Sequence, residues 1–545
     1  MRKIQNIISV DSFSVPNVCK IFLNLGSFNT LFKKLMAIID SVLTWLIKKR
    51  MHQIDLFLKF PIEVQHDWFE KLITAGATTE WGKKYDYGSI KSPEIFRRRV
   101  PVSKYEDIQP LIDRMRRGEK NLLWPEDIKW FAKSSGTTDS KSKFIPISQS
   151  TIEECHFKAG KDVLTLYLNN HPDSAIFQGK GLLMGGSQNI QEVNNQSYYE
   201  GDLSAILIHN MPYWAQIMRT PSLAISLMDE WESKLQLMAE ATQNHNVTSL
   251  SGVPSWTLVL MRKVLELAEK ETIPEVWPDL EVFFHGGVNF EPYREQFATL
   301  IPNVNMRYFE TYNASEGFFG IQDRSDANDM LLMLDYGIFY EFVPMEQVGP
   351  VFPKSLGLDE VQLNTGYAMV ITTNSGLWRY MIGDTIRFTS LSPYRIQITG
   401  RTRNFINVVG EELMVDNAEK ALATACSKTG AAIRDYTAAP LHVSDSIQHE
   451  WLIEFEKIPD NFDFFAELFD NALKALNSDY EAKRYHDMVL KPPLIRSMKK
   501  GAFYSWMKRN NKLGGQHKIP RLHNSRNFVD EILENSSITK KNFNI

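Results

Sequence analysis

The chain has 545 residues, 43% of them hydrophobic and 12% aromatic, so it can bury a large core and exceeds the length of one ordinary domain. A net charge of −4 leaves no general attraction to nucleic acid or acidic lipid. Three cysteines, Cys19, Cys155 and Cys426, are too few and too scattered for a disulfide framework or a cysteine-bound metal, which fits a reducing, cytoplasmic setting.

Near the start, Ile7-Ile8-Ser9-Val10 is shorter than the apolar part of a signal peptide and is stopped by Asp11. The run from Leu35 to Ile47 is broken by Asp40 and too short to span a bilayer, so no transmembrane segment is expected. Its Leu35, Ile38, Ile39, Val42, Trp45 and Leu46 form a helical stripe, read as a helix packed on the protein body. Residues 1–35 match no motif and no clean periodic pattern, and are expected to be a dispensable leader or part of an over-extended reading frame. Residues 51–120 read as charged, amphipathic helices.

Ser134-Ser135-Gly136-Thr137-Thr138-Asp139-Ser140-Lys141-Ser142-Lys143 follows, between the strand-like stretches Trp130–Ala132 and Phe144–Ile147. Hydroxyls, free backbone N–H groups and lysines are what phosphate oxygens need as partners. A plain turn uses the same residue types, and the spacing is not that of a Walker A loop. A helix over 150–168 comes next, then a strand at Leu182–Met184 ending in Gly185-Gly186. A helix is expected over 221–241, from the spacing of Leu223, Leu227, Trp231, Leu235 and Met238. Val253-Pro254 opens another helix, over Thr257–Lys270, and can wall a pocket. Strand Leu280–Phe284 stops at His285-Gly286-Gly287, a helix over Glu291–Leu300 follows, and strand Asn305–Phe309 leads to Tyr312-Asn313-Ala314-Ser315-Glu316-Gly317. Strands alternating with helices imply a mostly parallel sheet, with ligands gathering at strand carboxyl ends. Short strands joined by turns over 330–400 imply an antiparallel β subdomain containing Trp378-Arg379-Tyr380-Met381-Ile382-Gly383-Asp384. Beyond Gly400-Arg401-Thr402-Arg403 the pattern is that of a small α+β domain, closing with Gly514-Gly515-Gln516-His517-Lys518-Ile519-Pro520-Arg521. The fold class expected is therefore α/β. A large N-terminal domain carries mostly parallel sheets, helices and an antiparallel β subdomain, and a small mobile α+β domain follows it.

Five of these segments, taken in order, resemble the motifs of the adenylate-forming superfamily, which includes acyl-CoA synthetases, peptide-synthetase adenylation domains and luciferases. Ser-Ser-Gly-Thr-Thr followed by Lys-x-Lys-Phe, together with Tyr312-Asn313-Ala314-Ser315-Glu316, is similar to the Gretchen Hagen family of acyl acid–amido synthetases. The resemblance implies that Ser134, Ser135, Gly136, Thr137, Thr138, Lys141 and Lys143 cradle ATP phosphates. Tyr312 would pack on adenine, Ser315 would touch phosphate and Glu316 would hold Mg²⁺. Asp384 would accept from the ribose hydroxyls, since a carboxylate is a natural double acceptor for a diol. Arg401 would meet ribose or phosphate, Arg403 would be the hinge, and Lys518 would be the catalytic lysine alongside Glu316. Val253, Pro254, His285 and Gly286 are candidates for the acyl pocket. Ser140, Trp378, Arg403 and His517 depart from the family pattern.

The resemblance implies ATP and Mg²⁺ as cofactors, a small carboxylic acid and an amino acid as substrates, and domains at 36–403 and 404–545. The expected reaction is formation of an acyl-adenylate followed by transfer to an amine. An acyl-CoA synthetase and a catalytically inactive nucleotide-binding protein are the alternatives. Asn407, Glu411 and Glu412 near the hinge disfavour a polyanionic acceptor, whereas Lys499-Lys500 and Lys508-Arg509 could favour one. No nucleic-acid partner is expected, and a monomer is.

Overall fold

The computed structural model describes residues 49–134, 143–186, 188–193, 196–228, 230–287, 290, 293–303, 305–325, 327–402, 405, 406, 408, 409, 411, 413–443, 446–484, 490–510, 512, 513 and 518–535. The leader, the stripe helix, Ser135 to Thr138, Lys141, Arg403 and Gly514 to His517 lie outside these residues. Of the compact unit formed by residues 1–56, the described part, 49–56, is helical. Everything below concerns the second unit, 57–545.

Twenty strands are described. Strands β1 (Trp130–Ser134) and β2 (Lys143–Ile147) pair antiparallel, with Ser134 opposite Lys143, so the two ends of the hydroxyl-rich segment are brought together. They are followed by β3 (Lys180–Leu183), β4 (Gln188–Val193), β5 (Gln196–Gly201), β6 (Arg219–Thr220), β7 (Val247–Gly252), β8 (Val282–Gly286), β9 (Arg307–Ala314), β10 (Gly317–Ile321) and β11 (Met330–Leu332). Next come β12 (Ile338–Pro344), β13 (Gly366–Thr373), β14 (Tyr380–Leu391), β15 (Tyr394–Arg401), β16 (Phe405–Ile406) and β17 (Leu413–Met414). The last three are β18 (Ala432–Val443), β19 (Ser446–Lys457) and β20 (Leu490–Met498).

Eleven of them form one sheet in the order β12-β13-β14-β15-β11-β10-β9-β8-β7-β3-β6. Pairing is parallel from β6 to β9 and antiparallel from β9 to β12. The antiparallel strands expected as a subdomain are thus a continuation of the parallel sheet. Tyr380 to Leu391 is one bulged strand that carries Gly383 and Asp384 along its length. Likewise β9 runs through Ala314, so Tyr312 stands on the strand and only Ser315 and Glu316 occupy the turn into β10. A second sheet, β2-β1-β5-β4, flanks the first in sequence.

Helices follow the apolar spacing with one exception. Pro254–Ala268 starts with proline in its first turn, buries Leu258, Met261 and Leu265, and ends at Glu269 in the left-handed region. The expected helix over 221–241 is instead Leu223–Ser226 and Trp231–Thr242. The Glu230 carboxylate accepts from the N–H groups of Glu232 and Ser233 and so starts a new helix where continuation was expected.

The C-terminal segment has its own core. Helices Val415–Thr429 and Phe462–Leu476 bury Ala421, Leu422, Phe465, Phe469 and Leu473 with Trp451 of β19. Buried Glu411 accepts from the N–H groups of Val408 (3.0 Å) and Val409 (2.8 Å), and its other oxygen meets buried His449 at 2.9 Å, tying the loop after β16 to β19. A further cluster joins Trp231 and Trp256 of the large domain to Phe503, Trp506, Val529 and Ile532 of the small one. Trp231 and Trp256 meet edge to face at 4.6 Å. Arg262–Glu456 (2.8 Å) and Lys508–Glu232 (2.6 Å) bridge the same boundary.

Candidate active site

The turn between β9 and β10, the carboxyl ends of β8 and β15 and the segment around Lys518 enclose a cleft of about 1000 Å³. Ser134, Lys143, His285, Tyr312, Ser315, Glu316, Asp384, Arg401 and Lys518 all line it. They span 385 positions of sequence between Ser134 and Lys518, counted inclusively, and the fold brings them to one place. Val253, Pro254 and Gly286 are not among the lining residues. Gly286 is instead required by packing, because a Cβ there would stand 2.4 Å from the Thr311 carbonyl oxygen of β9.

One half of the cleft is built by strand register. Asp384 of β14 lies opposite Arg401 of β15, and the Arg401 Nε meets an Asp384 oxygen at 2.8 Å. The Tyr312 hydroxyl donates to the other Asp384 oxygen at 2.9 Å. Asp384 and Tyr312 are both buried, and burial, followed by the adjacent Asp384 charge, holds the Tyr312 phenol well above its ordinary pKa. The same carboxylate and that of Glu316 keep the Arg401 guanidinium firmly protonated. At the head of β14, Arg379 takes φ +44°, a conformation that a residue with a Cβ rarely adopts. It is held there by the Glu341 carboxylate (2.9 and 3.0 Å), the Ser355 hydroxyl and the carbonyls of Arg97 and Val100. Burial of this pair fixes where β14 begins, and so where Asp384 ends up.

Glu316 is buried, and burial raises its carboxyl pKa while the nearby Lys143 ammonium works against that shift. A carboxyl held in this way favours a neighbouring cation. Among the described residues no cluster of three or more His, Cys, Asp or Glu could hold a metal by itself. One carboxylate at a turn still fits Mg²⁺, which takes few protein ligands and completes its shell with ligand oxygens and water.

Lys518 enters from the small domain and donates to the backbone carbonyl of Gly287, at the end of β8. Its ammonium is walled in on most sides, although the side chain keeps some contact with solvent. Burial, with the Arg401 charge second, lowers its pKa to about 8. Gly287 takes φ +81°, and a Cβ there would lie 3.1 Å from the ammonium and 3.5 Å from Val253. Val253 therefore stands near the lysine while lying outside the cleft lining. His285 packs face to face on Phe290 (4.3 Å), and burial lowers its pKa to about 3, so the ring is neutral. Two of the four basic residues that could favour a polyanionic acceptor pair with carboxylates: Lys500 meets Glu456 at 3.3 Å, and Lys508 meets Glu232.

Sequence reasoning assigned nothing to Tyr293 or Arg521. Arg521 lines the cleft and pairs with Asp435, and its Nη2 donates to the Tyr293 hydroxyl at 3.0 Å. The arginine was visible as the end of the closing motif, but its partners lie 86 and 228 positions away.

Three family models match the chain: the GH3 family N-terminal domain over 50–306, the central domain over 331–401 and the C-terminal domain over 416–527. The chain is 22% identical to the 4-substituted benzoates-glutamate ligase GH3.12 of Arabidopsis thaliana, covering 88% of this chain and 95% of that protein. It is 23% identical to the jasmonoyl–L-amino acid synthetase GH3.5 of Oryza sativa subsp. japonica, with the same coverages. Among solved structures it is similar to the AtGH3.15 acyl acid amido synthetase in complex with 2,4-DB, with a TM-score of 0.73, 18% identity and coverages of 88% and 95%. It is also similar to a 2-hydroxyisobutyryl-CoA ligase in the postadenylation state, with a TM-score of 0.55, 12% identity and coverages of 86% and 90%. These last two likenesses are of fold. The three models lie in order along the chain and take in β8, β14, β15 and Lys518, with the turn from β9 to β10 falling between the first two, and the chain belongs to the GH3 family.

Proposed function

We propose that this protein is an ATP-dependent acid–amino acid ligase. It activates a small carboxylic acid as an acyl-adenylate, with release of pyrophosphate, and then transfers the acyl group to an amino acid amine with release of AMP. The observation that carries the reading is the convergence of Tyr312, Glu316, Asp384–Arg401 and Lys518 on one cleft in a GH3-family chain. The relatives named above are, by their names, ligases of acids with amino acids, and their acids differ. The acid is therefore left to experiment.

Asp384, fixed by Arg401 and Tyr312, receives the ribose. Tyr312 lies beside the base, Ser315 and the hydroxyl-rich segment of Ser134, Ser135, Gly136, Thr137, Thr138, Lys141 and Lys143 receive phosphates, and Arg403 serves as the hinge. Glu316 would hold Mg²⁺, which would supply charge neutralisation at the phosphates. Lys518 places an ammonium where the acid's carboxylate meets the α-phosphate, and stabilises charge that develops there during transfer. Val253, Pro254, His285 and Gly286 border the acyl end. The domains divide at 36–403 and 404–545, a division supported by the separate core of the C-terminal segment. The engagement of Lys500 and Lys508 by carboxylates supports an amine over CoA as acceptor. No helix among the described residues is long and apolar enough to cross a membrane, and the free thiols Cys155 and Cys426 suit the cytoplasm.

The test is a matrix of acids and amino acids incubated with protein, ATP and Mg²⁺, read by mass spectrometry. An acid-dependent amide with AMP is the expected product. Mainly acyl-CoA in competition with added CoA would replace the amide reading, and ATP binding without acid-dependent pyrophosphate exchange would remove the ligase reading.

A further inference from the structure

Lys518 does not reach the cleft on a free loop. The chain just past it lies along β18: the Thr437 hydroxyl donates to the Pro520 carbonyl (2.6 Å), the Ala438 N–H to the Arg521 carbonyl (2.8 Å), and Leu522 bridges Ala438. Arg521 turns back into the cleft wall, where its guanidinium lies 4.5 Å from the Tyr436 ring centre. One arm pairs with Asp435 and donates to the Tyr436 carbonyl (3.1 Å), both on β18 of the small domain. The other arm donates to the Tyr293 hydroxyl at 3.0 Å, and Tyr293 is buried in the core of the large domain. Tyr293 lies just before the helix Arg294–Leu300, and Gly287, whose carbonyl receives the Lys518 ammonium, lies at the end of β8. Both acceptors therefore belong to the single connection from β8 to that helix.

We propose that Arg521, braced across the domain boundary by Tyr293, is a positioning residue that sets Lys518 on the reacting atoms. The small domain grips one connection of the large domain at two points, Lys518 at Gly287 and Arg521 at Tyr293. A lone ammonium on a four-carbon stem can hydrogen-bond to many geometries, because it is a point charge with rotatable donors. A guanidinium fork fixed on three sides cannot. The second grip thus supplies the register that the first lacks. Burial pushes the Tyr293 phenol up to about 12, so its oxygen stays protonated and remains an acceptor for Arg521 at any working pH. The inference rests on the proposed role of Lys518 in adenylation.

Arg521→Ala would remove the guanidinium that pairs with Asp435 and risks failure to fold, so the informative variant is Tyr293→Phe. It deletes one oxygen and keeps the ring in its core. Acid-dependent pyrophosphate exchange is expected to fall about tenfold in kcat, with the KM for ATP within about twofold. Amide formation from supplied acyl-adenylate is expected to be unchanged. In a Lys518→Ala background the same change should add nothing, since a positioning residue acts only through the residue it positions. A second readout needs no acid substrate: the pH dependence of Lys518 acylation by a water-soluble anhydride, followed by peptide mass spectrometry. The parent should show a midpoint near 8, set by burial, by the Arg401 and Arg521 charges and, in opposition, by Asp384. Tyr293→Phe should move that midpoint toward an ordinary lysine. Additive loss in the Lys518→Ala background, or an unmoved labelling midpoint, overturns the proposal. Absence of exchange in the parent overturns the ligase reading instead, and leaves the labelling result to decide the clamp.

Discussion

The two halves of the cleft are built differently. The half formed by Tyr312, Asp384 and Arg401 rests on neighbouring strands of one sheet, where the side chains satisfy one another before any ligand arrives. The half formed by Lys518 is brought by another domain, and its ammonium donates to a backbone carbonyl of the large domain. A site made from sheet register is preorganised for binding, whereas one made from domain docking can be withdrawn. The division suits a reaction in which the nucleotide stays and the group that assists its chemistry must later make way for an amine.

If the halves divide binding from chemistry, breaking them separately must give opposite kinetic signatures. The largest effect is expected from Lys518→Ala, which should lower the pyrophosphate-exchange kcat by about 10²–10³-fold with little change in the KM for ATP. A raised KM with an unchanged kcat would reverse the assignment. Asp384→Ala should show the other signature, a KM for ATP raised by about 30-fold, because removal strands the Arg401 charge and the Tyr312 hydroxyl. Isothermal titration with a non-hydrolysable ATP analogue checks it without turnover.

A smaller, graded effect comes from pH. Lys518 has its pKa lowered to about 8, and the ammonium is the form that assists. The adenylation rate should therefore hold below that value and fall up to about tenfold per unit above it. In Lys518→Arg this descending limb should vanish, since arginine stays charged. Glu411 sharpens the comparison on the stability side. Its carboxyl is held down to about 2 by the His449 hydrogen bond and backbone donors, which outweigh burial. A depressed carboxyl stabilises the fold above its unfolded value of about 4.3, and this contribution is lost as pH falls toward 2. Glu411→Gln should cost roughly 3 kcal/mol at neutral pH, read by urea unfolding, and leave ATP affinity intact. The smallest change is expected for Lys500→Ala with Lys508→Ala: the ratio of amide to thioester in a CoA competition should not move.

Local pattern carried the fold a long way. The strand–helix alternation and the antiparallel pair that joins Ser134 to Lys143 follow from two spacings and a few turn residues. The break before Trp231 was not readable from the stripe, because a capping glutamate competes with helical continuation only once the backbone bends. The fusion of the two strand sets into one sheet depends on β9–β10–β11 pairing, which no local pattern specifies. Site residues with motif spacing, such as Glu316, Asp384 and Lys518, were legible one at a time. Val253 and Pro254 lie outside the cleft lining, a placement that the turn entering their helix does not specify. Tyr293 and the Asp384–Tyr312 hydrogen bond were not legible, since each joins elements that meet only in three dimensions.

The tryptophans at the domain boundary have an optical consequence. Trp231, Trp256 and Trp506 share one buried cluster, with indoles drawn from both domains. Their emission depends on whether that cluster is dry. Any separation of the small domain from the large one must let water reach these rings and shift their light to longer wavelength. The molecule therefore carries an intrinsic gauge of its own closure, readable in a stopped-flow fluorimeter without a label as ATP, acid and amine are added in turn.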